Sequence, residues 1–261
     1  MSVSYAGTTA LVTGASSGIG YAFAVELAKR GCNLVLVARS QDKLESLAAH
    51  LRQTYSTDVL IVCQDLSLED AATNVFTQTQ QAGKHIHLLV NNAGFGDDKP
   101  FVDVAFEAQQ AMINLNVQTV SNLTHLYLPE MLKQRAGGII NLASIISFTP
   151  FPYMTVYAAT KAFVLNFSQG LWAECQQQGV HVLAMCPGNT ATGFFTDMDI
   201  ADDELSSMDT THHVVNIALD ALYKNQSYVI TNWRFRLLLR LIRFVPREIM
   251  VRLLGRLNTP R

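Results

Sequence analysis

The feature that most constrains this chain lies near its start. The apolar, β-branched run Thr9–Thr13 passes directly into Gly14-Ala15-Ser16-Ser17-Gly18-Ile19-Gly20 and then into a helix-periodic segment. A strand, a glycine turn and a helix in immediate succession form the opening of a βαβ unit that cradles a dinucleotide. Gly14 permits the tight turn, Gly18 lets the backbone approach a pyrophosphate, and Gly20 allows helix and strand to pack closely. The helix N-terminus adds unpaired N–H groups and a positive dipole end. The spacing here is G-x-x-x-G-x-G.

The alternation continues. Candidate strands are Thr9–Thr13, Asn33–Val37, Val59–Cys63, Leu88–Asn91, Gly138–Leu142, Val180–Cys186 and Tyr228–Thr231. Helical patterns lie between them at Ser17–Arg30, Gln41–Gln53, Leu68–Gln81, Asp103–Gln134, Tyr153–Gln178 and Asp209–Lys224. Strands alternating with helices predict an α/β fold with a doubly wound, seven-stranded parallel sheet and helices on both faces. No repeat or linker interrupts residues 1–233, which are expected to form one domain, with 234–261 as an extension.

Composition sets further bounds. With 49% hydrophobic and 15% charged residues the chain is expected to be globular, and its apolar runs are too short to span a bilayer. Its first residues carry no basic, apolar leader, so a cytoplasmic protein is expected. Cys32, Cys63, Cys175 and Cys186 lack C-x-x-C spacing and read as reduced core residues. The seven histidines show no ligand spacing, and no metal is expected. No nucleic-acid partner is expected either.

A second constellation is chemical. Ser144 precedes Tyr157 by thirteen positions, and Tyr157 precedes Lys161 by four. On a helix the last two share one face. A lysine cation at that distance is expected to lower the phenol's pKa from its usual value of about 10. A tyrosine–lysine pair alone is weak; its context gives it weight.

That context resembles the short-chain dehydrogenase/reductase family. TGASSGIG at 13–20, NNAG at 91–94, Asn116, Ser144, Tyr157-x-x-x-Lys161 and Pro187-Gly188 occur in the family's order, over about three-quarters of the chain. The resemblance implies a Rossmann-type fold and a nicotinamide cofactor. Tyr157 is the implied general acid/base, Lys161 the group that tunes it and holds the nicotinamide ribose, and Ser144 the group that binds the substrate oxygen. Asn116 would anchor a proton-supplying water, with Asn114 the competing choice. The implied cofactor contacts are Gly14, Ser16, Ser17, Gly18, Ile19 and Gly20. To these are added Asp65 and Leu66 at the adenine, Asn92, Ala93 and Gly94 beside the sheet, and Pro187, Gly188, Thr190 and Thr192 under the nicotinamide.

The second strand ends in Ala38-Arg39-Ser40, with no acid to accept a ribose 2′-hydroxyl. Arg39 could grip a 2′-phosphate bidentately, and NADP(H) is the expected cofactor, although a solvated helix-start arginine fits the same residue. A hydrophobic carbonyl or alcohol is the expected substrate, shaped by the Ser144–Tyr157 segment and by Asn189–Ser207, which reads as a lid or as a solvated acidic loop. A non-catalytic nucleotide-binding scaffold of the same fold is the alternative; retention of Tyr157 and Lys161 speaks against it.

The tail departs from the family pattern. Residues 234–261 hold eight arginines against the single acid Glu248, a net of +7, leaving the first 233 residues at −9. Arg236, Arg240, Arg243 and Arg247 fall on one helical face, opposite Leu237, Leu238, Leu241, Phe244 and Val245. Such a helix fits peripheral contact with an anionic membrane, packing on its own domain, or a subunit contact in a homodimer or homotetramer. Pro246 is expected to break or kink it.

Overall fold

In the computed structural model, residues 5–188, 190, 209–242 and 245–258 are described. The strands are β1 (Thr9–Thr13), β2 (Asn33–Ala38), β3 (Val59–Cys63), β4 (Leu88–Asn91), β5 (Gly137–Leu142), β6 (Val180–Cys186) and β7 (Tyr228–Ile230). They form one sheet in the order β3-β2-β1-β4-β5-β6-β7, every neighbouring pair parallel. The sequence order reverses between β1 and β4, the switch point at which open α/β sheets form a ligand crevice at the carboxyl ends of their strands.

The helices are α1 (Gly18–Lys29), α2 (Gln41–Tyr55), α3 (Ala71–Gln81), α4 (Phe106–Ile113), α5 (Val120–Gln134), α6 (Thr155–Cys175), α7 (Thr211–Tyr223), α8 (Trp233–Ile242) and α9 (Arg247–Leu257). One face of the sheet is covered by Phe23 and Leu27 of α1, Leu44 and Leu51 of α2, and Val215 and Leu219 of α7. Val75 of α3, Leu123, Tyr127 and Met131 of α5, and Cys175 of α6 cover the other. Central strands covered on both faces must be apolar without alternation, and β1, β4 and β6 are buried along their whole length. Each fully buried leucine or phenylalanine in these layers contributes about 1.5–3 kcal/mol.

Three expectations need correction. The helix read over Asp103–Gln134 is interrupted: a 3-10 turn at Phe101–Asp103 precedes α4, and a π-helical turn at Asn114–Thr119 separates α4 from α5. In the tail the break expected at Pro246 is present, and what needs correction is the single helical face assigned to the four arginines. Pro246 is the N-cap of α9 with extended ψ (134°), because its ring cannot continue the preceding helix, so Arg236 and Arg247 lie on different helices. Cys63 is exposed, unlike buried Cys32, Cys175 and Cys186, because it ends an edge strand; its Sγ donates to the Arg39 carbonyl (3.2 Å). Of the acidic segment Asn189–Ser207, only Thr190 is described. Among the described residues, no helix is long and apolar enough to cross a membrane.

Candidate active site

At the end of β1 the backbone turns through Gly14 at φ 65°, a left-handed conformation that side chains with a Cβ rarely adopt. Gly20 is required by contact: a Cβ there would sit 2.2 Å from the Gly14 carbonyl oxygen. The turn is also tied sideways, because Ala15 N–H donates to the Val37 carbonyl of β2 (3.2 Å). Ser17 is the N-cap of α1, yet its side chain makes no capping bond and the first turn holds no acid. The first N–H groups of α1 are thus open toward the crevice, which suits a phosphate. Ser16 is half-buried beside them, whereas Ile19 is a core residue whose side chain packs inward, leaving only its backbone for a ligand.

The N-N-A-G turn after β4 closes the other side. Asn92 Nδ2 donates to the Thr13 carbonyl (2.9 Å) and more weakly to that of Gly14 (3.4 Å). The Thr13 hydroxyl accepts from Asn92 N–H (2.9 Å) and Ala93 N–H (3.0 Å) and donates to the Val90 carbonyl (3.3 Å). Thr13 therefore sets the spacing of β1 and β4 at the crevice, a role its motif position alone did not reveal. Beneath it runs a buried polar ladder. Asn91 Nδ2 donates to Asn141 Oδ1 (2.8 Å) and to Thr124 Oγ1 (3.2 Å), and Asn141 Nδ2 donates to Ser168 Oγ (2.9 Å). Asparagines at paired positions of adjacent strand ends were the sequence signal for it.

Arg39 and Ser40 are exposed where β2 ends. Burial raises the Asp65 pKa, but hydrogen bonds from the Ser67 hydroxyl (2.7 Å) and amide (2.9 Å), with the Arg39 charge, outweigh it and hold the carboxyl below its usual value. Leu66 packs in the core and its carbonyl accepts from Thr119 (2.6 Å), so Asp65 is the more available of the pair.

Ser144, Tyr157 and Lys161 come together. Ser144 leaves β5 in extended conformation and caps a 3-10 turn, Ile145–Phe148, in a reciprocal box: Ser144 Oγ accepts from Ile146 N–H (3.4 Å) and Ser147 Oγ accepts from Ser144 N–H (3.1 Å). Ser147 is thus a positioning residue visible in sequence only as a serine three places on. The Ser144 and Tyr157 hydroxyls share a hydrogen bond. Lys161 follows one turn later on α6, its Nζ 5.7 Å from the Tyr157 ring centroid and donating to the Leu142 carbonyl (2.7 Å).

The electrostatics differ from the sequence expectation. Tyr157 is 8% exposed and Lys161 3% exposed. Burial pushes the Tyr157 phenol well above its usual value, opposed by the hydrogen bond from Ser144, and the lysine does not reverse this. Desolvation also acts on Lys161, lowering its pKa to about 8, with the neighbouring Cys186 acting weakly the other way. Both groups are thus biased toward their neutral forms.

Asn116 lies on the π turn, fully buried. Its Nδ2 donates to the Phe95 carbonyl (2.9 Å) and Thr160 Oγ1 (3.1 Å), and its Oδ1 accepts from Phe95 N–H (3.3 Å). A Cβ on Gly94 would meet Asn116 Oδ1 at 2.9 Å and Lys161 Nζ at 3.3 Å, which puts Asn116 on the lysine's side of the site. Asn114 points elsewhere, to the Ser67 carbonyl (3.4 Å).

The Pro187-Gly188 turn is held by Ile145 N–H donating to the Pro187 carbonyl (3.1 Å), and Thr190 Oγ1 donates to the Gly188 carbonyl (3.1 Å). Thr192 lies outside the described residues. A shallow depression beside Tyr157 is lined mainly by Tyr153, Met154, Phe101, Val104 and Met112, with Asp97 and Lys99 also in its wall. The sequence pointed to Tyr153 and Met154, not to the contribution from the Phe101–Val104 segment. Tyr153 has φ 67°, a strained value for a bulky residue at the edge of a site.

Comparison with known proteins bears on this arrangement. The family model described as short chain dehydrogenase matches residues 8–203. A very-long-chain 3-oxoacyl-CoA reductase from Macaca fascicularis is 38% identical over 190 residues, 71% of this chain and 60% of that protein. The chain thus spans about 60% of the length of the curated relatives it matches. Among solved structures, a 7β-hydroxysteroid dehydrogenase superposes with a TM-score of 0.89 at 28% identity, covering 98% of this chain and all of that one. A short-chain dehydrogenase from Sphingobium yanoikuyae in complex with NADPH gives 0.81 at 32% identity, covering 92% and 97%. With motifs, strand order and three-quarters of its length in common, the chain belongs to the short-chain dehydrogenase/reductase family of oxidoreductases.

Proposed function

We propose that this protein is an NADP(H)-dependent oxidoreductase that interconverts a hydrophobic ketone or aldehyde and its alcohol. The observation that carries the proposal is the hydrogen-bonded Ser144–Tyr157 hydroxyl pair, with Lys161 one turn behind, opening onto an aromatic- and methionine-lined depression. The bound dinucleotide would supply or accept the hydride. Gly14, Gly18, Gly20 and the open N-terminus of α1 would hold its pyrophosphate, Asp65 would lie toward the adenine, and Pro187, Gly188 and Thr190 would lie toward the nicotinamide.

In the direction of reduction, Ser144 and Tyr157 donate hydrogen bonds to one carbonyl oxygen, and Tyr157 delivers its proton as negative charge develops there. A phenol whose pKa is raised by burial rests protonated at neutral pH, the form that reduction needs. Lys161, itself anchored by its bond to the Leu142 carbonyl, would hold the nicotinamide ribose and support proton return from its place beside Asn116. Exposed Arg39 and the NADPH complex of a relative support the choice of NADP(H). The apolar depression, and relatives named for oxoacyl-CoA and hydroxysteroid chemistry, support an apolar carbonyl substrate.

The test is a screen of aliphatic, aromatic and acyl-thioester ketones with NADPH and NADH side by side. Turnover should prefer NADPH and fall at least about a hundredfold in Tyr157→Phe, with NADPH binding retained. NADPH binding without turnover of any carbonyl, or turnover indifferent to Tyr157→Phe, would overturn the proposal.

A further inference from the structure

We infer that the outward face of α8 and α9 is a docking surface for an anionic lipid membrane. A tail that only completed the domain would turn its apolar residues inward. Here a minority does so. Phe235 and Leu239 of α8 pack on the cluster of Ala143, Val164, Leu165 and Ile230, and Met250 is the buried residue of α9.

Among the described residues most of the other apolar side chains are exposed, with Val251 and Leu254 half-buried. Trp233 is 69% exposed, and Leu237 and Leu238 are exposed with it on α8. On α9, Ile249, Leu253 and Leu257 recur every four residues as a single exposed stripe, Leu257 at 79%. Exposed arginines are interleaved with these residues along the chain, Arg234 on α8 and Arg247, Arg252 and Arg256 on α9. Apolar side chains interleaved with cations, with one acid in 28 residues, complement a surface of acyl chains beneath anionic headgroups. A second protein chain would cover the leucines equally well but gives no reason for an almost unbroken arginine set.

The position of this face gives the docking a use. A Cβ on Gly188 would meet the Phe235 ring at 2.9 Å, so α8 lies against the turn that closes the site. Gly255 of α9 lies against Pro152, next in sequence to Tyr153 of the depression. The tail therefore connects the membrane-facing surface to the rim of the depression. Supply of an apolar substrate from the bilayer rests on the oxidoreductase reading; the docking itself does not.

The test is co-sedimentation of the full chain with phosphatidylcholine vesicles and with mixed phosphatidylcholine–phosphatidylserine vesicles, at low and high salt. Binding should require phosphatidylserine, weaken with salt, and fall at least about tenfold in both Arg234→Glu/Arg252→Glu and Ile249→Ser/Leu253→Ser. Circular dichroism and NADPH binding, measured on the same variants, should be unchanged and separate loss of docking from loss of fold. No vesicle binding, equal binding to both vesicle types, or a dimer by light scattering that the Ile249→Ser/Leu253→Ser variant splits, would each overturn the inference. Docking without turnover would leave the inference standing and count against the enzymatic proposal alone.

Discussion

Lys161 carries a measurable stability cost that its chemistry requires. Its pKa is about 8 in the folded chain against 10.5 as an ordinary lysine, because the ammonium is desolvated behind Tyr157. A depressed lysine pKa means that the unfolded chain binds more protons between these values, so stability rises with pH across that window. The penalty is fully present below pH 8 and is relieved as pH approaches 10.5. Linkage puts it at about 3 kcal/mol at neutral pH and under about 1 kcal/mol near pH 10. Lys161→Met keeps the length, removes the charge and should abolish turnover. It also loses the bond that the neutral amine makes to the Leu142 carbonyl, a pH-independent offset of about 0.5–1.5 kcal/mol, the charge-assisted part being contained in the shifted pKa. The informative quantity is therefore the slope. Urea unfolding of both proteins from pH 7 to 10 should show the parent gaining about 2–3 kcal/mol relative to Lys161→Met. A difference that stays flat, or one that moves the other way, would show that Lys161 is not held desolvated.

Arg39→Ala should weaken NADPH binding by about ten- to a hundredfold, the loss of one charge-assisted contact, and leave NADH binding nearly unchanged in fluorescence titration; equal losses would remove Arg39 from phosphate recognition. Asn92→Ala should destabilise the chain by about 1–3 kcal/mol in urea unfolding, because it removes the bond to the Thr13 carbonyl, and should also loosen dinucleotide binding through the turn it braces. Gly188→Ala pushes a methyl into the Phe235 ring and should cost about 1–3 kcal/mol; adding Phe235→Leu should return much of that, so a strictly additive double mutant would rule out the contact.

The strands were legible because covered parallel strands must be continuously apolar, and all seven emerge within a residue of their expected bounds. The glycine turn was legible because Gly14 and Gly20 answer demands no other residue meets. What escaped was tertiary. Nothing local says that Leu237 and Leu238 face outward while Phe235 and Leu239 face in, since helical periodicity is blind to which side finds a partner. Thr13 and Ser147 act through backbone groups that other elements bring to them. The sign of the Tyr157 shift also depends on burial, whereas spacing revealed only the charge of its neighbour.

The π turn at Asn114–Thr119 has a consequence for how this chain tolerates change in length. A π turn holds roughly one residue more than an α turn, so α4 and α5 are two helices out of phase by about 100°, with Asn116 at the slip. Deleting one residue there would let the two merge into a regular helix with better backbone bonding. It would also rotate either Met112 or Leu123 off the core and swing Asn116 away from Phe95 and Thr160. The less regular helix is the one that keeps both packing surfaces and the site in register.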